Sequence, residues 1–380
     1  MATRGSIPKM MEVAGIDMLS PEAGVPWIRR ELTAGGTCGE VVVGNRLGVL
    51  LQEFHETGGL DLLALEGSRA HLPVPGPMVG KIIGLGIYRG LTMDTLLDPA
   101  AQPFLNDHRI DGISVLPGVM GIEGFAEAAL CIHPGWHVEV IDEVNFLAPF
   151  KFYKDEPRAV SIEAIFRPIS GRLVSDCRLV GRRTLPGHSG PQETVHFTAR
   201  VRLARQLPDA VSVAEPHLSA DAIVTAAQIY RIYFHGPAYQ VLEQAWWDGK
   251  RIIGEMSAHL PVNHHPSQQP TLMSPRLIEL CFQTAGIWEI GTTSRMGLPM
   301  QVKRVSWRRE PEKAEGRLFA LVTPKPEDGT FDADVVDERG NLYLRLEGYR
   351  TATLPAGIDA ESLKPLQAVV TPETADAAND

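Results

Sequence analysis

Cysteine is scarce in this chain: four in 380 residues, at Cys38, Cys131, Cys177 and Cys281, with no CxxC pair among them. That scatter suggests neither a zinc site nor a disulfide framework. Cys131 and Cys281 stand in apolar stretches and read as core. Long apolar runs are missing too; none reaches the roughly 18 residues of a membrane span. The opening MATRGSIPKMMEVAGIDML has no apolar signal-peptide core, so a cytoplasmic protein without a membrane partner is expected. Positive charge is short: 36 Lys and Arg against 46 Asp and Glu give a net charge of −10. That balance argues against nucleic acid as a partner. There is no GxSxG and no P-loop. His133 and His137 in IHPGWH have ligand-like spacing but no third ligand nearby, and His264 and His265 fall in a Pro-rich loop. No metal and no nucleotide cofactor is expected.

What is present is a soluble globular composition, 44% hydrophobic and 22% charged, long enough for two to three units of about 150 residues. Ser20-Pro21-Glu22 reads as a helix start. Gly39–Leu51 reads as a buried strand with an exit loop, and Gly35, Gly36 and Gly39 as a turn. From Gly76 the chain becomes β-rich and broken by glycine. A turn-dense loop, NDHRIDGISVLPG, then feeds an apolar helix, PGVMGIEGFAEAAL. Extended stretches follow, HVEVIDEVNFLAPFKFY, AVSIEAIFRPI, RLVSDCRLVGRR and TVHFTARVRLAR. After a linker at about 207–220 the order recurs: RIIGEMSAHL, a loop, the helix PRLIELCFQTAGIWEI, then four more extended stretches. Ile122–Ala129 lies over Ile278–Ala285, so Glu123 and Glu279 occupy equivalent positions. Such a repeat is the strongest clue to architecture. It predicts two halves, each a set of strands around one apolar helix, side by side in one sheet. The divisions expected are 1–65, 66–210, 211–355 and a linker or disordered tail at 356–380, rich in Pro, Ala and acidic residues.

Chemistry points to two places. His108 precedes a glycine-containing turn that leads into the first helix, and an imidazole can take a proton near neutral pH. Gly112 and Gly118 let backbone approach a ligand, and free amides at the helix start can polarise a carbonyl. The alternative is a histidine that only caps the loop. In the second helix Glu279 and Gln283 are four apart and share a face. Burial would raise the pKa of Glu279 and suit it to general acid work, with Gln283 orienting it. Alternatively Arg276 pairs with Glu279, lowers its pKa and makes the pair structural. Glu123 has Glu127 rather than glutamine at i+4 and reads as structural, at the junction between halves.

Three motifs in order carry a family resemblance. HRIDGISVLP resembles the HxxxGxxxxP motif of polyketide-synthase and fatty-acid-synthase dehydratase domains, FHGPAYQVL resembles YGPxFxxL, and SPRLIELCFQ resembles HPxLLDxxxQ. The resemblance covers about residues 75–355 and implies an α+β double-hotdog fold with one active site. It implies His108 as base, Glu279 as acid and Gln283 as its orienting partner. It places Gly112, Pro117, Gly118, His235, Gly236, Pro237 and Tyr239 at the substrate. The chain departs from the pattern in its acid, Glu279 where the family carries Asp, and in the second motif, His235 where it carries Tyr and Tyr239 where it carries Phe. The implied reaction is syn elimination of water from a β-hydroxyacyl thioester on acyl carrier protein, within a type I, iterative polyketide or polyunsaturated-fatty-acid-type synthase. The implied partners are the carrier protein, neighbouring synthase domains and a second copy of the chain. Arg304, Arg308 and Arg309 offer either a basic patch for the carrier or a solvated strand edge. Rivals on the same fold are a double-bond isomerase and a product-template-like cyclase, and outside catalysis a decayed dehydratase kept as a scaffold. Residues 1 to about 60 resemble the end of a ketoreductase domain without its nucleotide-binding loop, so no NADPH binding is expected, and the chain is expected to be a piece of a larger synthase.

Overall fold

The computed structural model describes residues 7–17, 19–34, 43–48, 76–86, 90–133, 135–169, 172–183, 190–209, 211–218, 222–311, 314, 316–354 and 357–370. Gly35, Gly36 and Gly39 lie outside them. Thirteen strands form one antiparallel sheet. The first half supplies β1 (Lys81–Gly86), β2 (Gly90–Leu97), β3 (His137–Phe146), β4 (Arg158–Ile169), β5 (Arg172–Arg183) and β6 (Gln192–Ala204). The second supplies β7 (Ile223–Thr225), β8 (Leu242–Trp247), β9 (Ile252–Met256), β10 (Gly297–Trp307), β11 (Leu318–Lys325), β12 (Thr330–Asp337) and β13 (Leu342–Thr353). The spatial order is β7-β8-β9-β11-β12-β13-β10-β3-β6-β5-β4-β2-β1. The halves meet where β10 pairs with β3, with Val302 opposite Val144 and Val305 opposite Ile141. All four of these apolar residues are buried, so the seam is continuous core.

Each half wraps one helix, α1 (Gly118–Leu130) or α2 (Pro275–Thr293). Helix α1 is buried along its whole length from Val119, as its nearly unbroken apolar sequence demands. Gly121 lets the sheet come close: a Cβ there would stand 2.4 Å from the Phe197 ring. This is the double-hotdog arrangement, assembled from the expected repeat.

Three expectations change. The end of the chain is not all tether, because Ala360–Val370 forms a further helix, here called α3, that buries Leu363, Leu366 and Val369. These recur every third residue and make a stripe that packs on α2, where a Cβ on Gly291 would meet Val370 at 2.6 Å. Pro, Ala and acidic residues in the same segment masked that stripe. Within 39–51, the described residues give only a two-residue strand, Arg46–Leu47, paired with Ile16–Asp17 and largely exposed rather than buried. Strands β7 and β8 were not read from the sequence; β8 has a glutamate and a glutamine inside LEQAWW, which blurs its alternation. The helix expected from Ser20-Pro21-Glu22 is present at Pro21–Ala34. No helix among the described residues is long and apolar enough to cross a membrane.

A buried polar tie adds to the seam. Glu123 on α1 accepts the Leu272 and Met273 amides of the second half at 2.5 and 2.8 Å. One turn on, Glu127 accepts the Met78 amide at 2.8 Å. Burial pushes both carboxyls up, Glu123 to about 7. A carboxyl whose folded pKa exceeds its unfolded one stabilises the fold below the unfolded pKa, and loses that contribution as pH rises through the folded one. We therefore expect thermal stability to fall as pH is raised from about 4.5 through 7, and Glu127→Gln to flatten the slope. Parallel melting curves for the two proteins across that range would contradict this account of the tie.

Candidate active site

His108 is delivered by a short helical turn and a hairpin. Pro103–Asn106 forms the turn, and the chain leaves it at Asp107 into the strands Arg109–Ile110 and Ile113–Val115. The imidazole folds back on the hairpin, with Nδ1 2.8 Å from the Val115 carbonyl. A carbonyl only accepts, so Nδ1 carries the proton and Nε2 keeps its lone pair. Burial pushes His108 down to about 4, while Glu279 and the Val115 carbonyl act against it. The ring is thus neutral at physiological pH and able to accept a proton.

The second half reaches His108 through Asp107, a residue without any mark in the motif pattern. The Asp107 carbonyl accepts the Gly236 amide and its carboxylate accepts the Ala238 amide, both at 2.7 Å. Next to these ties His108 and His235 form an isolated antiparallel bridge. Gly236 is required for the approach: a Cβ there would lie 2.9 Å from the Asp107 side chain. The His108 and His235 rings end 5.4 Å apart, and Phe234 stacks on His235 at 4.3 Å.

Helix α2 presents the acid. Pro275 opens it, and Glu279 and Gln283 project one turn apart. Gln283 is fixed at both ends: Nε2 donates to Glu279 Oε1 and to the Tyr239 carbonyl, each at 2.9 Å, and Oε1 accepts the Tyr230 hydroxyl at 2.8 Å. The Tyr233 hydroxyl donates to the Gln283 backbone carbonyl at 2.7 Å. Neither tyrosine was singled out in the sequence; the only trace is their i, i+3 spacing just ahead of FHGP. Arg276 does not pair with Glu279 and instead donates to the Pro261 carbonyl. The partner of Glu279 is His235, whose Nε2 lies 3.1 Å from Oε1. Burial raises the Glu279 pKa, but the hydrogen bonds from His235 and Gln283 outweigh it and hold the carboxyl below its usual range. The expectation of a carboxyl kept protonated by burial is corrected on this point.

His108, His235, Glu279 and Gln283 all face one cavity of about 280 Å³. The remaining wall is apolar, from Leu116, Phe146, Phe197, Phe282, Ile290 and Met296 among others. Of the positions expected at the substrate, Gly118 and His235 line this cavity, whereas Gly112, Pro117, Gly236, Pro237 and Tyr239 do not. Gly112 is the exposed turn of the hairpin, with φ +77°. Pro117 caps α1. Tyr239 is fully buried behind the wall and offers its carbonyl to Gln283.

Arg304 is engaged with Asp142 at 2.7 Å and is not a free basic group. His133 packs against Phe166, with ring centroids 4.6 Å apart. Among the described residues no group of three or more His, Cys, Asp or Glu converges as a metal site would.

Comparison with known proteins places this geometry. A family profile described as polyketide synthase dehydratase domain matches residues 77–173, and one described as polyketide synthase dehydratase N-terminal domain matches 203–361. Among curated proteins, a polyunsaturated fatty acid synthase polypeptide from Thraustochytrium sp. is 25% identical over 227 residues, 58% of this chain and 8% of that protein. Polyketide synthase GfsB of Streptomyces halstedii is 25% identical over 298 residues, 74% of this chain and 5% of that protein. The chain thus corresponds to a small part of the length of these relatives. Among solved structures, the dehydratase domain from the CurF module of curacin polyketide synthase superposes with a TM-score of 0.59 at 18% identity, covering 73% of this chain and 99% of that one. A trans-AT polyketide synthase dehydratase domain from Brevibacillus brevis gives 0.60 at 18%, covering 74% and 99%. With both halves matched by profiles and the double-hotdog fold shared with solved dehydratase domains, the chain belongs to the polyketide synthase dehydratase domains.

Proposed function

We propose that this domain removes water from a β-hydroxyacyl thioester carried on the phosphopantetheine of an acyl carrier protein, giving the α,β-enoyl thioester. The observation that carries the reading is the meeting of His108, from the first half, and Glu279, from the second, on one apolar cavity. His108 Nε2 takes the proton α to the thioester. The electron pair of that C–H bond becomes the new double bond, and the C–O bond breaks toward the β-hydroxyl as Glu279 protonates it. The first amide of α1, at Gly118, has no acceptor within the helix and lies on the cavity wall, placed to polarise the thioester carbonyl. Both groups act from one cavity, which suits syn elimination. The apolar wall suits an acyl chain. The same reading takes neighbouring domains of an iterative type I synthase and a second copy of the chain as partners, and needs neither metal nor nucleotide.

Turnover of a short 3-hydroxyacyl thioester, followed by mass spectrometry, should show loss of one water with the wild type. His108→Ala and Glu279→Gln should each lower the rate by about 10²–10⁴-fold. Wild-type rates in Glu279→Gln would mean that another group is the acid. An inert wild type, tested also with carrier-bound substrate, would favour the scaffold reading.

The pH dependence has a definite sign. The active free enzyme holds His108 neutral and Glu279 protonated. Since Glu279 is held low, kcat/KM should fall as pH rises through neutrality, and should fall again at low pH as His108 protonates near about 4. A profile flat between pH 5 and 8, about the span in which an unperturbed histidine titrates, would contradict the assignment of the acid.

A further inference from the structure

Two of the positions at which the chain departs from the dehydratase motifs are His235 and Glu279, and in the fold these two residues touch, with Nε2 and Oε1 3.1 Å apart. Both side chains are less than a tenth exposed. The contact also has a defined polarity. The His235 Nδ1 is buried and meets no hydrogen-bond partner. A buried N–H without an acceptor costs more than a bare ring nitrogen has to lose, so the proton belongs on Nε2, which then donates to the carboxylate. Oε1 therefore takes two N–H donors, from His235 and from Gln283. Oε2 takes none among the described residues, and Glu279 lines the cavity.

We propose that His235 is a positioning residue for the proton donor: with Gln283 it pins Oε1 of Glu279 and leaves Oε2 as the oxygen that delivers the proton to the departing hydroxyl. The inference rests on the dehydratase reading and assigns, within it, a role for a histidine where the family carries a tyrosine. These two departures are one exchange. A glutamate, longer by one methylene than the family's aspartate, reaches a ring nitrogen that the strand bridge to His108 holds in place. The ring itself is held by its stack on Phe234 and by the edge of Tyr233, 5.9 Å away. The titratable groups facing the pair are His108, Tyr230, Tyr233 and Tyr239, with Gln283 alongside on α2. Two N–H donors on one oxygen also stabilise the carboxylate, which makes Glu279 the stronger acid once it is protonated.

Three replacements of His235, one of them paired with Glu279→Asp, separate positioning from packing. His235→Phe keeps the stack on Phe234 and removes the donor. We expect kcat to fall about 10- to 100-fold with KM nearly unchanged. We also expect the high-pH limb of the profile to move to higher pH, because the carboxyl has lost a donor while its burial remains. His235→Gln returns an N–H near the same place and should recover most of the rate and return the limb toward its wild-type position. In a double-mutant cycle, His235→Tyr combined with Glu279→Asp should be less impaired than the two single losses together predict. Wild-type kcat and an unmoved limb in His235→Phe would overturn the proposal, as would a His235→Gln protein that folds, binds substrate and is no better than His235→Phe. ¹⁵N NMR of labelled histidine in the full chain tests the contact without substrate: it should find His235 as the Nε2–H tautomer. The Nδ1–H tautomer would refute the positioning role even if the protein is an active dehydratase, whereas an inactive wild type with the Nε2–H tautomer would instead count against the dehydratase reading.

Discussion

The cross-half grip at Asp107 is the constraint on which the site depends. The proposed base belongs to the first half and the proposed acid to the second, so neither half holds a working pair alone. The β3–β10 pairing sets the two half-sheets in register. It does not by itself place one imidazole relative to one carboxylate. Asp107 does the finer work, taking the amides of Gly236 and Ala238 next to the His108–His235 bridge. The absence of a side chain at Gly236 allows the approach. On the far side, Glu123 ties α1 to the loop that leads into α2. Two such polar ties inside an apolar seam give a defined geometry where hydrophobic contact alone would tolerate a slide.

Two glutamates at equivalent places on the two helices show how far environment outweighs identity. Glu123 has only backbone amides and a second buried carboxyl near it, and burial prevails, so its pKa rises. Glu279 is as deeply buried, yet His235 and Gln283 both reach its carboxyl, and its pKa falls. The internal repeat supplied two copies of one helix. What distinguishes a fold-stabilising acid from a candidate proton donor is the set of partners each copy finds: amides across the seam for Glu123, and His235 and Gln283 of its own half for Glu279.

Much of this was legible in the sequence because it is written locally. The apolar helices announce themselves by composition, most strands by their β-branched runs, and the Glu279–Gln283 pair by its i, i+4 spacing. The architecture followed from laying one helix over the other. What stayed hidden was tertiary. Asp107, Tyr230 and Tyr233 act through backbone groups far along the chain, and no local pattern marks them. The motif glycines and Tyr239 were expected at the substrate, whereas Gly236 and Tyr239 support the wall from behind. The direction of the Glu279 shift turned on whether burial or a partner prevailed, and the partner is His235, which no helix spacing marks. Helix α3 was missed because its apolar stripe is interleaved with the residues of a tether.

The central claim is that a neutral His108 and a carboxyl from the other half act on adjacent carbons of one acyl chain. The most direct measurement runs the reaction backward in D₂O, adding water to an α,β-enoyl thioester and locating the label by NMR. The account predicts one deuterium on the α-carbon, delivered to a single face, with the oxygen on the β-carbon. Label on both faces, or a product hydrated at rates that do not depend on His108, would contradict it.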